Sequence, residues 1–487
     1  MLKMELGLKI GLEIHQQLDT HKLFCNCPSE LRSDEPDIEV RRRLYAVAGE
    51  SGKIDAAAAY EQSRKKEFVY QGYSGTTCEV EFDDSPPRDL NQEALEIALQ
   101  ISLHLNADIL PITQVMRKTV VDGSNTSGFQ RTMMISKNGF VETRFGRVGI
   151  RGLFLEEDSA RPVGNKSEED LLNEGSVTFK LDRLGLPLVE IATEPDIKSG
   201  EEAKEVALKI GEILRACKVK RGLGTIRQDV NVSIAKGDRT EIKGVQEPNL
   251  IIKAVEKEVE RQLQLAKEKK TVERTVRWAL EDGETRFLRP LPGAARMYPE
   301  TDLPLIKITK EIIDHVKGNL PKLHSEMKDE LKKKGLSQEM TKLLLAERKI
   351  EEFKSLLPLS KSNPDLIVKL LILYPKELSS KEKIEKKVVN EMITLDVVES
   401  ILEAVNAEKI SESDVKATMM KIIKGMPVPE ALKTEKIDTA GIEEEMKKII
   451  KDKPGLSLGA YMGIVRQKFP QLSGKDAAEM LKRMLKL

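Results

Sequence analysis

The sequence predicts an α+β protein in which a mainly antiparallel-sheet domain is followed by helical modules. Short β-type runs alternate with glycine, proline and aspartate turns as far as about residue 305. Residues 229–234 alternate polar and apolar side chains, which is the period of a half-buried strand. After about residue 306 the chain is rich in lysine and glutamate and has helical patterning almost throughout.

The elements of the first part follow in chain order. Strands are predicted at residues 8–18, 77–82, 141–146, 148–155, 177–181, 225–234 and 239–243. Helices are predicted at residues 91–105, 200–218 and 252–270, the first with Asn91 as its N-cap. Helices that interrupt a largely antiparallel sheet are typical of the α+β class.

Three domains are expected in a chain of 487 residues, because one domain has about 150. The composition shifts near residue 305, and a charge-dense stretch falls near residues 377–387. These shifts predict a catalytic domain at 1–305, a helical domain at 306–385 and a small helical tail domain at 386–487.

The overall composition excludes several classes of protein. Lys plus Arg and Asp plus Glu are both 80, so a strongly basic nucleic-acid coat is excluded, although a local basic patch is not. No apolar run has the roughly 18–20 residues of a membrane span, and no secretory signal is evident. Four cysteines in a chain of this length do not form a disulfide framework, so a cytoplasmic location is expected.

Carboxylates dominate the candidate site residues, since neither a P-loop nor a G-x-S-x-G elbow occurs. Glu13 and His15 are two apart on a predicted strand and therefore share a face. Residues 156–158 are all acidic and end another strand, and Glu190 lies in an apolar segment. Oxygen ligands with one imidazole suit Mg²⁺ or Mn²⁺ better than zinc. The alternative is that each carboxylate caps a turn or pairs with Arg or Lys.

Two polar segments are candidates for ligand contacts. Residues 122–132 form a dense polar loop after Arg117 and Lys118, which suits phosphate binding, or else are a simple hairpin turn. Residues 227, 229, 231 and 233 place four polar side chains on one strand face, which is either solvated or lines a site.

The cysteines leave the question of zinc open. Cys25, Cys27 and Cys78 offer three thiolates and His21 a fourth ligand, while a tetrahedral site needs four. Cys217, on a predicted helix, is expected to be a buried apolar residue.

Several motifs together resemble the B-type and E-type kinase subunits of glutamyl-tRNA(Gln) amidotransferases. They are GLEIH (11–15), LEED (155–158), PLVEI (187–191), EPD (194–196), RQDVNVS (227–233) and EIK (241–243). The segment LRPLPGAARMYPETD (288–302) is similar to the archaeal E-type subunit rather than to the B-type subunit. The resemblance covers nearly the whole chain. It implies a cradle domain, a helical domain and a tail domain.

One departure from that family concerns an inserted domain. The E-type subunit usually carries an insertion, similar to one in bacterial aspartyl-tRNA synthetases, before the segment at 290–302. About twenty residues stand there in this sequence, too few for a domain that stabilises itself. One tRNA contact of the family is therefore in doubt, and the catalytic segments are intact.

The resemblance implies a carbon–nitrogen ligase that uses glutamine as its amido donor. Such a protein phosphorylates the γ-carboxylate of glutamate on misacylated tRNA(Gln) with ATP, and ammonia then displaces the phosphate. The implied Mg²⁺ ligands are His15, Glu157 and Glu190. The implied catalytic residues are Glu157, Glu13 and Lys118, with Glu157 also helping to deprotonate ammonium. The implied nucleotide or acyl-phosphate contacts are Arg117, Ser124, Asn125, Gln130, Arg227, Asp229 and Asn231.

The implied partners are an amidase and a tRNA. No glutaminase signature occurs in this sequence, so ammonia is expected from an asparaginase-like D-type amidase subunit in a dimer of heterodimers. The tail should bind tRNA(Gln) charged with glutamate, because its basic cluster carries a charge of 8 − 3 = +5. That cluster contains Lys451, Lys453, Arg466, Lys468, Lys475, Lys482, Arg483 and Lys486 against Asp452, Asp476 and Glu479. The alternatives are a B-type kinase, which also acts on aspartyl-tRNA(Asn), and a non-catalytic tRNA-binding scaffold.

The resemblance also bears on zinc. Some B-type proteins have a four-thiolate site whose second pair is C-x-x-C. Here Cys78 matches the second member of that pair, and Gly75 stands at the first. One ligand is therefore missing, and no structural zinc is expected.

Overall fold

A computed structural model describes residues 7–164, 175–222, 224–235, 237–291, 297–347, 349–359, 363–433, 439–469 and 474–485. The chain divides into two compact units, Met1–Leu323 and His324–Leu487. The predicted boundaries at residues 305 and 385 stay predictions.

The strands all lie in the first unit, as far as the chain is described. In chain order they are β1 (Lys9–Gln17), β2 (Ile38–Arg42), β3 (Glu67–Gly72), β4 (Asp108–Ile109), β5 (Ile112–Thr113), β6 (Met116–Thr119), β7 (Phe129–Thr143), β8 (Gly146–Glu157), β9 (Arg161–Pro162), β10 (Ser176–Lys180), β11 (Pro187–Thr193), β12 (Ile226–Ser233), β13 (Thr240–Lys243), β14 (Thr275–Ala279), β15 (Thr285–Pro290), β16 (Met297–Pro299) and β17 (Ile306–Lys307).

One large sheet dominates this unit. Its strand order is β15-β14-β13-β12-β1-β11-β8-β7-β6-β16, with β4 also paired to β7. All of its pairs are antiparallel except β13 with β14. A smaller sheet has the order β2-β3-β10-β9, and β5 pairs with β17.

The helices of the first unit are α1 (Ala56–Ser63), α2 (Gln92–His104), α3 (Gly200–Ala216), α4 (Pro248–Lys267) and α5 (Lys310–Gly318). Helices α2, α3 and α4 lie against the large sheet. In β1, Ile10, Leu12 and Ile14 join the buried core, so Glu13 and His15 point to the opposite face. This alternation gives the sheet an apolar face and a polar face.

The predicted fold class is confirmed, and most predicted elements correspond to observed ones. Asn91 caps α2 as predicted, since its side chain accepts a hydrogen bond of 3.0 Å from the Ala94 N–H. Cys217 is buried as predicted. The strand predicted at residues 77–82 is wrong, because this segment folds as turns. A turn forms there because the Glu81 side chain accepts a hydrogen bond from the Cys78 N–H.

The second unit contains helices and connecting turns but no strand among its described residues. Its helices are α6 (His324–Lys333), α7 (Gln338–Ala346), α8 (Ile350–Leu356), α9 (Pro364–Val368), α10 (Tyr374–Glu382), α11 (Lys386–Met392), α12 (Leu395–Asn406), α13 (Val415–Ile423), α14 (Val428–Ala431), α15 (Thr439–Asp452), α16 (Leu458–Lys468) and α17 (Gly474–Leu485). A 3-10 turn at Leu357–Leu359 and a π-helix at Lys369–Leu373 interrupt them.

Two hydrophobic clusters stabilise this unit. One runs from Leu331 to Ala431, and the other joins α15, α16 and α17. Of the predicted basic cluster, Lys486 and the side chains of Arg466, Lys475 and Asp476 lie outside the described residues. No helix in the described parts of the chain is long and apolar enough to cross a membrane.

Candidate active site

The polar face of the large sheet lines a cavity of about 460 Å³. Ligand pockets in proteins usually have about 300–1,000 Å³. Side chains from β1, β6, β8, β11, β12, β13 and β14 reach this cavity, together with α1 and the loop after β6. Nine of the predicted residues line it: Glu13, His15, Lys118, Ser124, Asn125, Gln130, Glu190, Arg227 and Asp229.

His15 is shared by two groups of carboxylates. One group is Glu13, His15 and Asp229, and the other is His15, Glu156 and Glu190. Within each group the ligand atoms lie within 4.8 Å of one another. The His15 Nε2 lies 3.3 Å from Glu190 Oε2, because these two residues are paired across β1 and β11. Either group has the oxygen and imidazole donors that suit a divalent cation.

The electrostatics of this cluster show an excess of negative charge. Burial, together with the charges of Glu190, Glu241 and Asp229, raises the pKa of Glu13 to about 8. Burial alone would lower the pKa of His15, but its hydrogen bond to Glu190 and the surrounding carboxylates raise it to about 9. Carboxylates crowded in this way favour either protons or a bound cation.

Lys118 is the cation closest to this cluster in the described site. Its Nζ lies 2.9 Å from Glu156 Oε2 and 3.5 Å from Glu190 Oε2. Arg117 points to the other face of β6, because neighbouring residues of a strand alternate. There its guanidinium pairs with Glu300, which is fully buried, and lies over the Phe129 ring. Arg117 therefore does not line the cavity, which corrects its predicted placement.

The adjacent carboxylates at the end of β8 are separated in the same way. Glu156 lines the cavity, whereas Glu157 is on the opposite face and lies 3.4 Å from Arg131 Nη1. Burial raises the pKa of Glu157, although Arg131 opposes this shift. The structure thus places Glu156, not the predicted Glu157, beside His15.

Arginine side chains on the cavity wall are fixed by buried Asp158. Arg227 Nη2 lies 2.9 Å from Asp158 Oδ1, and Arg183 Nε lies 3.8 Å from Asp158 Oδ2. Gln17 also donates a hydrogen bond of 2.6 Å to Asp158. Burial would raise the pKa of Asp158, but these partners lower it to about 2, so Asp158 stays ionised.

The neighbouring part of the wall contains Asp229 and Lys243, whose Oδ2 and Nζ lie 3.0 Å apart. Asn231 does not line the cavity, and it is the third predicted site residue of this kind after Arg117 and Glu157. It is two residues further along β12, opposite Gly11 and Glu241. Its Oδ1 is buried without a hydrogen-bond partner among the described residues.

The polar loop after β6 also borders the cavity. Ser124 donates hydrogen bonds from its N–H and hydroxyl to Asp122 Oδ1, at 2.9 and 2.7 Å. Asn125 is almost completely buried, and its Oδ1 accepts no hydrogen bond from the described residues. The Gln130 side chain donates a 2.7 Å hydrogen bond to the Glu157 carbonyl oxygen. A buried acceptor without a partner is rare in folded proteins.

Several cavity residues were missed by the sequence reasoning. They include Arg183, Lys243 and Trp278, whereas Glu156 and Asp158 were noted only as carboxylates at the end of a strand. Glu156, Asp158 and Lys243 lie in the motifs at 155–158 and 241–243, so the motifs identified this region of the sheet but not which side chains face the cavity. Residues 292–296 of the 288–302 motif lie outside the described residues.

A second group of possible metal ligands lies elsewhere in this unit. The ligand atoms of Cys25, Cys27, Cys78 and Glu81 are within 4.8 Å of one another. Cys25 Sγ lies 2.8 Å from Glu81 Oε1. Hydrogen bonds from Cys25 and Cys27 hold the pKa of the Cys78 thiol well below its usual range. Three thiolates and a carboxylate make four donors that suit zinc, so the reason for expecting no zinc no longer holds.

The fold and the cavity define a sheet-based enzyme domain whose polar site combines carboxylates, an imidazole and cationic side chains. The family profile described as the GatB/GatE catalytic domain matches residues 8–314. The E-type subunit of the glutamyl-tRNA(Gln) amidotransferase of Methanocaldococcus jannaschii is 38% identical over 490 residues, covering 72% of this chain and 77% of the relative. The E-type subunit of Methanococcus maripaludis is 35% identical over 559 residues, covering 86% of each chain. The chain belongs to the GatB/GatE family, as a member of its E-type branch.

Proposed function

We propose that this chain converts glutamyl-tRNA(Gln) to glutaminyl-tRNA(Gln) in two steps within the cavity described above. It is a tRNA-dependent amidotransferase subunit. In the first step, an oxygen of the glutamyl γ-carboxylate attacks the γ-phosphorus of ATP and ADP leaves. In the second step, ammonia attacks the acyl carbon and phosphate leaves. The observation that supports this most is the cluster of carboxylates around His15 beside Lys118.

Phosphoryl transfer depends on positioning and charge neutralisation more than on a covalent nucleophile. Lys118 supplies a fixed positive charge beside Glu156 and Glu190. Arg227 is oriented by ionised Asp158, so its guanidinium is held on the cavity wall. Fixed charges of this kind stabilise a transition state without reorganising during the reaction.

A divalent cation, proposed as Mg²⁺, fits the donor set around His15. His15, Glu156 and Glu190 would hold it, with Glu13 and Asp229 as the adjoining group. The raised pKa of Glu13 is consistent with this fit, because it reflects negative charge that a cation would neutralise. When bound, Mg²⁺ screens the charge of the ATP phosphates.

Ser124, Asn125 and Gln130 are proposed to contact the nucleotide or the acyl phosphate from the wall opposite the cluster. Glu157 keeps the second role predicted for it, which is to accept a proton from incoming ammonium. Its burial and its raised pKa support this role, since a general base works best when its pKa lies nearer the working pH.

Ammonia is proposed to come from a partner amidase, with an asparaginase-like D-type subunit in a dimer of heterodimers as the first candidate. The tail at residues 386–487 is proposed to bind the tRNA, and the reaction to occur in the cytoplasm. The B-type kinase and scaffold alternatives are not favoured, because the relatives are named as the E-type subunit and the carboxylates are in place.

The test is an amidation assay with glutamyl-tRNA(Gln) and ATP. The purified chain alone should form glutaminyl-tRNA with ammonium and should not use glutamine, whereas addition of the partner amidase should restore glutamine use. Omission of ATP is the control and should abolish the product. Product formed without ATP, or glutamine hydrolysis by the chain alone, would contradict the proposal.

A further inference from the structure

Trp278 lines the same cavity three strands away from His15 in the large sheet. It is the single tryptophan of the chain and is on β14, with its side chain half-buried on the cavity wall. Its benzo ring lies against Gly244, where a Cβ would be only 3.0 Å from Cε2 and Cζ2. Gly244 also has a φ of +81°, so both the backbone and the ring require glycine there. The indole is therefore held in a fixed position.

One row of residues crosses the sheet from the metal-ligand group to Trp278. Glu13 is opposite Asp229 in the pairing of β1 with β12. The register of β12 with β13 brings Asp229 beside Lys243, and Lys243 is opposite Trp278 on β14. Neighbouring strands lie about 4.8 Å apart, so three spacings separate Glu13 from Trp278 by about 14 Å. This is the span of an extended nucleoside triphosphate from its γ-phosphate to its base.

The two ends of this row differ in polarity. The first end is ionic, whereas Trp278 presents an aromatic ring, and buried Leu288, Ala57 and Ala58 also line the cavity. Helix α1 lies against β15, which pairs with β14. The N-terminus of α1 is already capped by the Asp55 carboxylate, which accepts hydrogen bonds from Ala57 and Ala58. Arg64 and Arg289 also line the cavity and lie near Glu61, so the surface that favours a flat, apolar group is the Trp278 ring itself.

We infer that Trp278 is the stacking platform for an adenine base whose phosphates lie toward the His15 cluster. This inference rests on the proposed function and deepens it, because it says how the site would recognise the base of the nucleotide as well as its phosphates. Bases stack on aromatic rings through their π-faces, so a tryptophan is the side chain best suited to this role. The adenine belongs either to ATP or to the 3′-terminal adenosine of the tRNA, and the experiment separates the two.

The fluorescence of the full chain provides a direct test, because all tryptophan emission comes from Trp278. Mg-ATP should change this emission saturably in the absence of tRNA. Mg-tripolyphosphate, which has no base, should compete with ATP without changing the emission. A trinucleotide ending in CCA is the second arm. A change with CCA and none with ATP would assign the stacked base to the tRNA.

Variants of Trp278 distinguish a loss of base stacking from a loss of folding. Trp278→Ala should weaken ATP binding by about 5-fold to 100-fold, the range for losing one stacked base, and should leave tripolyphosphate binding unchanged. Trp278→Phe should keep most of the affinity, because it keeps a ring. Phe287→Ala is the matched control, since Phe287 is an exposed aromatic residue of the same hairpin. Melting curves of all three variants should match that of the wild type.

The inference and the proposed function fail in different ways. If ATP and tripolyphosphate bind equally and neither ATP nor CCA alters the emission, the base platform is refuted while amidation by the wild type upholds the proposed function. If neither ATP nor tripolyphosphate binds and no amidation occurs, the proposed function itself fails, and the inference with it.

Discussion

Replacement of Glu156 or Glu157 by glutamine, one at a time, distinguishes two sets of residues. One is the group of possible metal ligands around His15, and the other is the buried ion-pair network of Arg131 on the opposite face of β8. The two residues are adjacent in sequence but on opposite faces of β8. Glu156→Gln removes a carboxylate from the group around His15. Glu157→Gln removes a partner of buried Arg131, which keeps a contact of 2.9 Å to Glu300. The pair therefore has matched chemistry and different surroundings.

The expected magnitudes differ for activity and for stability. Glu156→Gln should lower the rate of ATP-dependent phosphorylation about 100-fold or more, as for loss of one preorganised electrostatic group. Its unfolding free energy should change by less than about 1 kcal/mol, because the lost Lys118 contact is offset by relief of repulsion among carboxylates.

Glu157→Gln should instead lower the unfolding free energy by about 2 kcal/mol. This is less than the roughly 3–5 kcal/mol lost when a buried charge is left without a partner, because Arg131 keeps its ion pair with Glu300. Phosphorylation should fall less than in Glu156→Gln.

The assay is release of labelled phosphate from γ-labelled ATP in the presence of glutamyl-tRNA(Gln), with urea unfolding measured on the same preparations. Binding of tRNA should be nearly unchanged in both variants. If Glu157→Gln abolishes phosphorylation in a stably folded protein while Glu156→Gln does not, the sequence-based choice of Glu157 as the ligand is correct. The assignment of Glu156 is then refuted.

Three further predictions concern other parts of the chain. Removal of residues 434–487 should weaken tRNA binding and lower its salt dependence without changing ATP binding. The cut is placed there so that the hydrophobic cluster that continues to Ala431 stays intact. The full chain should bind one zinc ion measurable by elemental analysis, and Glu81→Gln should weaken that binding, because Glu81 supplies the fourth donor. Burial raises the pKa of Cys217 to about 12, so its thiol should resist alkylation at pH 8 until the protein is unfolded; Cys78, with its lowered pKa, should react first in chelator-treated protein.

Each of these has a contrary outcome. Equal salt slopes for the full and shortened chains would exclude the tail as a tRNA-binding module. Zinc-free protein after expression with added zinc would restore the original expectation for the cysteine cluster. Rapid alkylation of Cys217 in the folded protein would show that its environment is open.

The sequence analysis did not find Glu81 as the fourth possible zinc ligand, and this shows where local patterning fails. The run at residues 77–82 alternates well enough to predict a strand, and a strand would carry Glu81 away from Cys78. The Glu81 carboxylate instead accepts a hydrogen bond from the Cys78 N–H, which stabilises a turn and brings both side chains to Cys25. Side chain-to-backbone hydrogen bonds of this kind compete with strand pairing and are not visible in apolar periodicity.

Strands β1, β8, β12 and β13 of the large sheet were predicted, but the phase of each strand was predictable only where alternation is uninterrupted. In β1 the period of two runs unbroken, so Glu13 and His15 were correctly placed on one face. In β8, Val148 and Ile150 join the core, and alternation counted from them would put Glu157 on the polar face. The pairing with β11 is irregular between Ala192 and Thr193, and Leu153 and Leu155 join the core beyond it. A bulge adds one residue and so inverts every later side chain, and this inversion brings Glu156 rather than Glu157 to His15.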